Sequence, residues 1–211
     1  VSSDLNKPAS LIGTSPDIRI AQFEDGWLVG AAHQRSPFYN DRPQSNAGCV
    51  SLIVVHNISL PHRQFGTGYV DQLFLGQLDC SAHASFADLV GVEVSSHFLI
   101  RRSGEVCQFV SADKRAWHAG VSEYVGRDNC NDFSIGIELE GADDVPYEPP
   151  QYQQLAVLCA ALMGEYPSIE PGAVTGHSDI APGRKTDPGP VFDWSYFRQL
   201  LATELGIKSE G

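Results

Sequence analysis

Apolar residues recur along this chain in two rhythms, one of period two and one near 3.6, and the rhythm changes where Gly and Pro interrupt it. Leu52-Ile53-Val54-Val55 is a continuous apolar run that ends at His56-Asn57, the pattern of a strand covered on both faces. His97–Arg101 and Val106–Val110 flank Ser103-Gly104 and predict a hairpin. From Phe133 to Glu140 the chain alternates, with Phe133, Ile135, Ile137 and Leu139 on one face and Gly136, Glu138 and Glu140 on the other, so one face is expected to be core. Tyr152, Leu155, Ala156, Cys159, Leu162, Met163 and Tyr166 fall at helical spacing before Pro167. A last helix is expected after Asp193, a good N-cap, using Trp194, Phe197, Leu200, Leu201 and Leu205 before Gly206. Ala173-Val174-Thr175 reads as one more strand, and the irregular stretch 58–95 carries a short helix at Tyr69–Leu75. Strands alternate with helices but a hairpin interrupts them, which predicts an α/β fold: one domain with a central mixed β-sheet flanked by α-helices.

Composition narrows the function. At 211 residues and 42% hydrophobic the chain supports one sizeable core. Residues 1–22, rich in Ser, Pro, Asp and Asn, are expected to form a leader outside the catalytic domain at 23–211. A net charge of −12 repels phosphate backbones and anionic lipid, so neither nucleic acid nor a membrane is expected as a partner. Five cysteines without a CxxC pair fit a reducing compartment, and no secretory signal or transmembrane run is visible, so a cytoplasmic, monomeric protein is expected.

The chemistry concentrates in the Pro/Gly-stiffened segment 176–190, which holds His177, Lys185 and Asp187. Together with His56, at the end of a buried strand, His177 and Asp187 would make a two-histidine, one-carboxylate zinc site whose fourth position is left to water. The plainer alternatives are a core histidine at 56 and an ordinary charged turn at 177–187. Glu138 sits on the polar face of its strand, where Gly136 leaves space for substrate or water. It is either a solvated edge carboxylate or the acid/base that a hydrolytic zinc site requires. Lys185 is a surface lysine or an oxyanion stabiliser. His62, His83, His97 and His118 rank lower as ligands, since none lies in a stiff loop with a carboxylate, and Trp117 is a groove wall or a core residue.

Four segments in order (Val54–Ser59, Asp113–Val121, Cys130–Gly141 and Gly176–Pro190) resemble the AmpD-type amidases, within the wider family that includes bacteriophage amidase-type lysozymes and peptidoglycan recognition proteins. The resemblance runs from about Gly26 to the C-terminus. It implies an enzyme that cleaves the amide between the lactyl group of 1,6-anhydro-N-acetylmuramic acid and L-alanine during cytoplasmic recycling of cell-wall fragments, with an indirect influence on beta-lactamase induction. It also implies Zn2+ on His56, His177 and Asp187, Glu138 as acid/base, Lys185 on the oxyanion, and Asn57, Ala116 and Trp117 along the substrate groove, with a small-molecule muropeptide as partner. Where related sequences offer arginine to the peptide carboxylates, this chain has Glu93 and Asn129, leaving Arg102, Arg127 or Arg184 as substitutes. The rival readings are an envelope amidase acting on intact murein, a non-catalytic peptidoglycan-binding module, and a structural-zinc domain.

Overall fold

The computed structural model describes residues 22–44 and 49–207, so the expected leader lies almost wholly outside the described residues. Six strands make the central sheet: β1 (Ala32–His33), β2 (Leu52–Ile58), β3 (Phe98–Ile100), β4 (Val106–Gln108), β5 (Ser134–Glu140) and β6 (Val174–Gly176). Their order across the sheet is β6-β2-β5-β3-β4-β1. β6, β2, β5 and β3 run parallel, and the expected hairpin supplies the reversal at β3–β4, so the sheet is mixed. Two-residue antiparallel ladders, such as Tyr39–Asn40 with Arg115–Ala116, brace the loops around it.

Among the described residues four α-helices join the sheet: α1 (Tyr69–Phe74), α2 (Pro149–Glu165), α3 (His177–Ile180) and α4 (Trp194–Glu204). Proline at the start of α2 costs no hydrogen bond, because the first helical N–H groups have no intrahelical acceptor, and Gln151 reaches back to the Glu148 backbone as a capping box. The Asp193 side chain accepts from the Tyr196 N–H and starts α4. α2 and α4 pack together over one face of the sheet. There Ile53, Val55, Ile135, Ile137 and Leu139 meet Leu155, Leu158, Leu162, Phe197 and Leu201 in the main core.

The alternation expected for β5 is real, but its second face is not solvated: all seven residues are buried. β5 sits mid-sheet, and its Gly136 and Glu138 side lies under the segment that carries His118. A Cβ on Gly136 would stand 2.5 Å from the His118 ring, so the space expected there for substrate or water is filled by an imidazole.

Arg42 locks this second layer. Its guanidinium donates to the carbonyls of Asn131, Asp132, Ala112 and Ser134. Burial lowers its pKa to about 10, which still leaves it charged at neutral pH. His97 lies beside it: Nδ1 accepts the Gly136 N–H and Nε2 donates to the Lys114 carbonyl, so this ring is neutral and structural. Arg42→Met should leave these buried carbonyls short of a donor and lower the unfolding free energy by about 3 kcal/mol. Equilibrium denaturation measures this, and an unchanged midpoint would mean that the guanidinium does not hold the layer.

Candidate metal centre

Strand register builds the site. Glu138 on β5 pairs with His56 on β2, and Gly176, the last residue of β6, pairs with Val55. His177 follows Gly176 and therefore stands level with His56. Three adjacent parallel strands thus deliver His177, His56 and Glu138 in one row toward their C-terminal ends, where α/β sheets place their ligands. β2 runs two residues beyond the expected end at His56, to Ile58, which keeps His56 inside the ladder rather than in a loop.

The fourth group arrives on the stiff loop. The Asp179 carboxylate accepts from the Gly176 N–H at 2.9 Å and from the Thr175 hydroxyl at 2.8 Å, starting α3 at His177. Ser178 N–H then donates to the Asp187 carbonyl at 2.9 Å, tying the two ends of the loop together. The Asp187–Pro188 peptide is cis, and Tyr147 donates its hydroxyl to the Pro188 carbonyl. Gly189, at φ 83°, lies so close to Asp143 that a Cβ would stand 2.3 Å from the Asp143 Cα.

His56 Nδ1, His177 Nδ1 and Asp187 Oδ2 form a nearly equilateral triangle with sides of 2.9, 3.0 and 3.0 Å. Ligands about 2.0–2.2 Å from one tetrahedral ion stand about 3.3–3.6 Å apart, so the triangle is a few tenths of an ångström tighter than a filled zinc site while still converging on one point. His177 Nε2 lies 3.0 Å from the Ala119 carbonyl, which can only accept, so Nε2 carries a proton and, in a neutral ring, Nδ1 turns a lone pair toward the Asp187 carboxylate. Lone pairs facing one another at 3.0 Å need a positive centre between them, which a metal ion or a proton can supply. The donor set, two imidazoles and one carboxylate, suits zinc and leaves its coordination open.

Burial shapes the charges. Desolvation lowers the His56 pKa to about 4, with His177 and Lys185 adding to the effect and Asp187 opposing it. Asp187 is lifted by burial, but the imidazoles of His177 and His56 more than offset this and hold it well below the usual carboxylate range. Glu138 goes the other way: burial first and the Asp187 charge second push it well above its ordinary value, against Lys185. Its Oε2 is buried without a hydrogen-bond partner, an acceptor aimed at something the protein itself does not supply.

The other expected residues take varied places. Lys185 is exposed on the ligand loop. Asn57 donates to Asp143 at 2.8 Å beside that loop. Trp117 is half-buried, stacked on Phe38 with its indole N–H on Asn40. The Ala116 side chain is fully buried in the apolar cluster with Leu99 and Val110, so only its backbone can line a groove. The three candidate arginines are already engaged: Arg102 with Glu148 and the Pro146 carbonyl, Arg127 with Ser51 and the Phe133 ring, Arg184 with the carbonyls of Ala119 and Val121.

His118, ranked low as a ligand, lies outside the triangle but against it, with its Nδ1 2.9 Å from His56 Nε2. A glycine at 136, on the polar face beside Glu138, hinted at a close neighbour there but could not name it.

With the geometry in view, comparison with known proteins is decisive. The N-acetylmuramoyl-L-alanine amidase family model matches residues 45–190. The chain is 56% identical over 181 residues to the 1,6-anhydro-N-acetylmuramyl-L-alanine amidase AmpD of Escherichia coli K12, covering 86% of this chain and 97% of that protein. A crystal structure of a selenomethionine AmpD derivative superposes with a TM-score of 0.82 at 54% identity, over 85% of this chain and 99% of that one. A structure of AMPDH3 from Pseudomonas aeruginosa in complex with anhydromuramic pentapeptide matches with a TM-score of 0.54 at 31% identity, over 72% of this chain and 59% of that one. Family match, sequence identity and superposition agree with the site that the strand register builds: the chain belongs to the N-acetylmuramoyl-L-alanine amidase family, within its AmpD type, and is an amidase.

Proposed function

We propose that this amidase is zinc-dependent and hydrolyses the bond between the lactyl carbonyl of 1,6-anhydro-N-acetylmuramic acid and the amine of L-alanine, acting on small soluble muropeptides in cytoplasmic wall recycling. In organisms where such fragments induce beta-lactamase, their removal dampens induction. The observation that carries the reading is the triangle of His56, His177 and Asp187 with the unpartnered carboxylate of Glu138 beside it. The substrate follows from the name of the Escherichia coli relative and from the ligand of the AMPDH3 complex. Among the described residues no helix is long and apolar enough to cross a membrane.

Bound at the triangle, zinc would supply a Lewis acid and would lower the pKa of water toward about 7. His56, His177 and Asp187 would hold it, Asp187 as the one anionic ligand. Glu138 takes the proton of the attacking water on its free oxygen, and burial suits it to hold that proton until the amine of L-alanine departs. Lys185, whose charge acts on both Glu138 and His56, faces the developing oxyanion. Trp117 and Asn57 border the groove, and Ala116 contributes its backbone.

Two outcomes check this. Purified protein on anhydromuropeptides should release the free stem peptide, seen by mass; chelator should abolish the reaction and added zinc restore it. Equal or better cleavage of whole sacculi would favour the envelope reading, and chelator-resistant turnover would end the zinc one.

Glu138→Gln should lower turnover by about 10²–10⁴-fold while zinc still binds. The same change has a stability signature. Folded Glu138 keeps its proton above the ordinary value of 4.5 at which the unfolded chain releases it. Folding must then take up a proton, and stability falls as pH rises through that window. Glutamine removes the penalty, so the metal-free variant should melt higher than wild type at neutral pH, the gain shrinking toward acid. Near-normal turnover with no such gain would take the role from Glu138.

A further inference from the structure

His118 contacts one of the proposed ligands yet has no part in the mechanism above, and its hydrogen bonds run in a single direction. Ser134 Oγ lies 2.6 Å from the Cys130 carbonyl oxygen. Two oxygens that close need a proton between them, and a carbonyl has none to give, so the serine donates. With its proton committed, Ser134 Oγ accepts from His118 Nε2, 3.2 Å away. In a neutral ring His118 Nδ1 is then bare and accepts from His56 Nε2 at 2.9 Å. His56 therefore carries its proton on Nε2 and turns the Nδ1 lone pair into the triangle.

The same short segment governs the other imidazole. The backbone N–H groups of His118 and Ala119 both donate to Asn131 Oδ1, at 3.1 and 2.8 Å. The Ala119 carbonyl then fixes the tautomer of His177. Gly136 leaves the room in which the His118 ring sits.

We propose that His118 is a positioning residue: through Ser134 and the Cys130 carbonyl it holds His56 in the tautomer that presents a bare Nδ1, so that residues 118 and 119 together orient both imidazoles toward the ion. The inference rests on the metal reading of the triangle and adds how the site is readied before any ion arrives. Without this chain of bonds His56 is free to carry its proton on Nδ1, bonded to Asp187, and an incoming cation has to displace it.

Long-range proton–nitrogen NMR on the 15N-labelled full chain, zinc-stripped and zinc-loaded, reads each imidazole directly. The expected wild-type result is a protonated Nε2 and an unprotonated Nδ1 on both His56 and His118 in both states, with the His56 Nδ1 shift moving on zinc loading. His118→Phe should release the His56 tautomer in the stripped protein and weaken zinc about 10–100-fold in competition with a chelator. His118→Gln, whose carboxamide can accept from His56 and donate to Ser134, should recover most of that loss. Gly136→Ala should weaken zinc by displacing the ring. A proton on His118 Nδ1 in the wild type would overturn the proposal, as would a folded His118→Phe protein with unchanged zinc affinity and an unchanged His56 tautomer. Elemental analysis of the wild type separates the two failures: a chain that takes up no zinc but shows the expected tautomers sinks the metal reading, not the bond chain.

Discussion

The parallel pairing of β6, β2 and β5 is the constraint on which the site depends. A slip of one residue would turn every side chain on the moving strand to the opposite face. His56 would then leave Glu138, and His177 would no longer stand level with either. What prevents the slip lies on the far side of the sheet. Ile53, Val55, Ile135, Ile137 and Leu139 are buried against α2 and α4, and a shift would exchange that apolar set for the polar one. The hydrophobic core thereby fixes the relative height of three functional groups that it never touches.

A second layer then turns a row of side chains into a centre of convergent lone pairs. Strands supply His56, His177 and Glu138, but which ring nitrogen faces inward is decided by the segment at 118–119 and by Asn131 beneath it. That segment is held in turn by Arg42, which gathers the carbonyls of Asn131 and Ser134 with two others. A buried guanidinium is costly to desolvate, and four backbone carbonyls accepting from its two terminal nitrogens offset that cost here. From β5 the same logic runs through Gly136, where the missing side chain is what lets an imidazole sit against a central strand.

Much of this was legible in the sequence, and the gaps have physical reasons. Apolar runs and alternation located the main strands, the hairpin and both long helices, since those signals are local. The stiff loop at 176–190 and the strand-end position of His56 pointed to the metal triangle. What failed was any inference that needed to know which face of β5 was covered. Glu138 on a polar face suggests exposure, whereas burial of that face by the 118–119 segment is a long-range fact with no local trace. For the same reason the contacts of His118, which was ranked low as a ligand and lies outside the triangle, left no local trace: its partners are another histidine and a serine that meet it only in three dimensions. The Ala116 side chain, expected along the groove, is closed off in an apolar cluster, which leaves only its backbone for that part.

Two carboxylates in one site make the last point. Asp187 and Glu138 share the same desolvating surroundings, yet their proton affinities are driven apart. Asp187 gains two imidazoles as immediate neighbours and stays ionised; Glu138 gains none, feels the Asp187 charge, and holds its proton more tightly. A permanently charged group suits a ligand, and a group that takes up and returns a proton suits an acid/base. Chain position alone sets the division of labour: a loop that brings Asp187 within hydrogen-bond distance of both rings, and a strand that keeps Glu138 beside them but out of their bonds. Under the proposed mechanism the two residues could not exchange roles without exchanging those neighbours, so the asymmetry of a two-carboxylate site is already fixed by the register of the sheet and the closure of one loop.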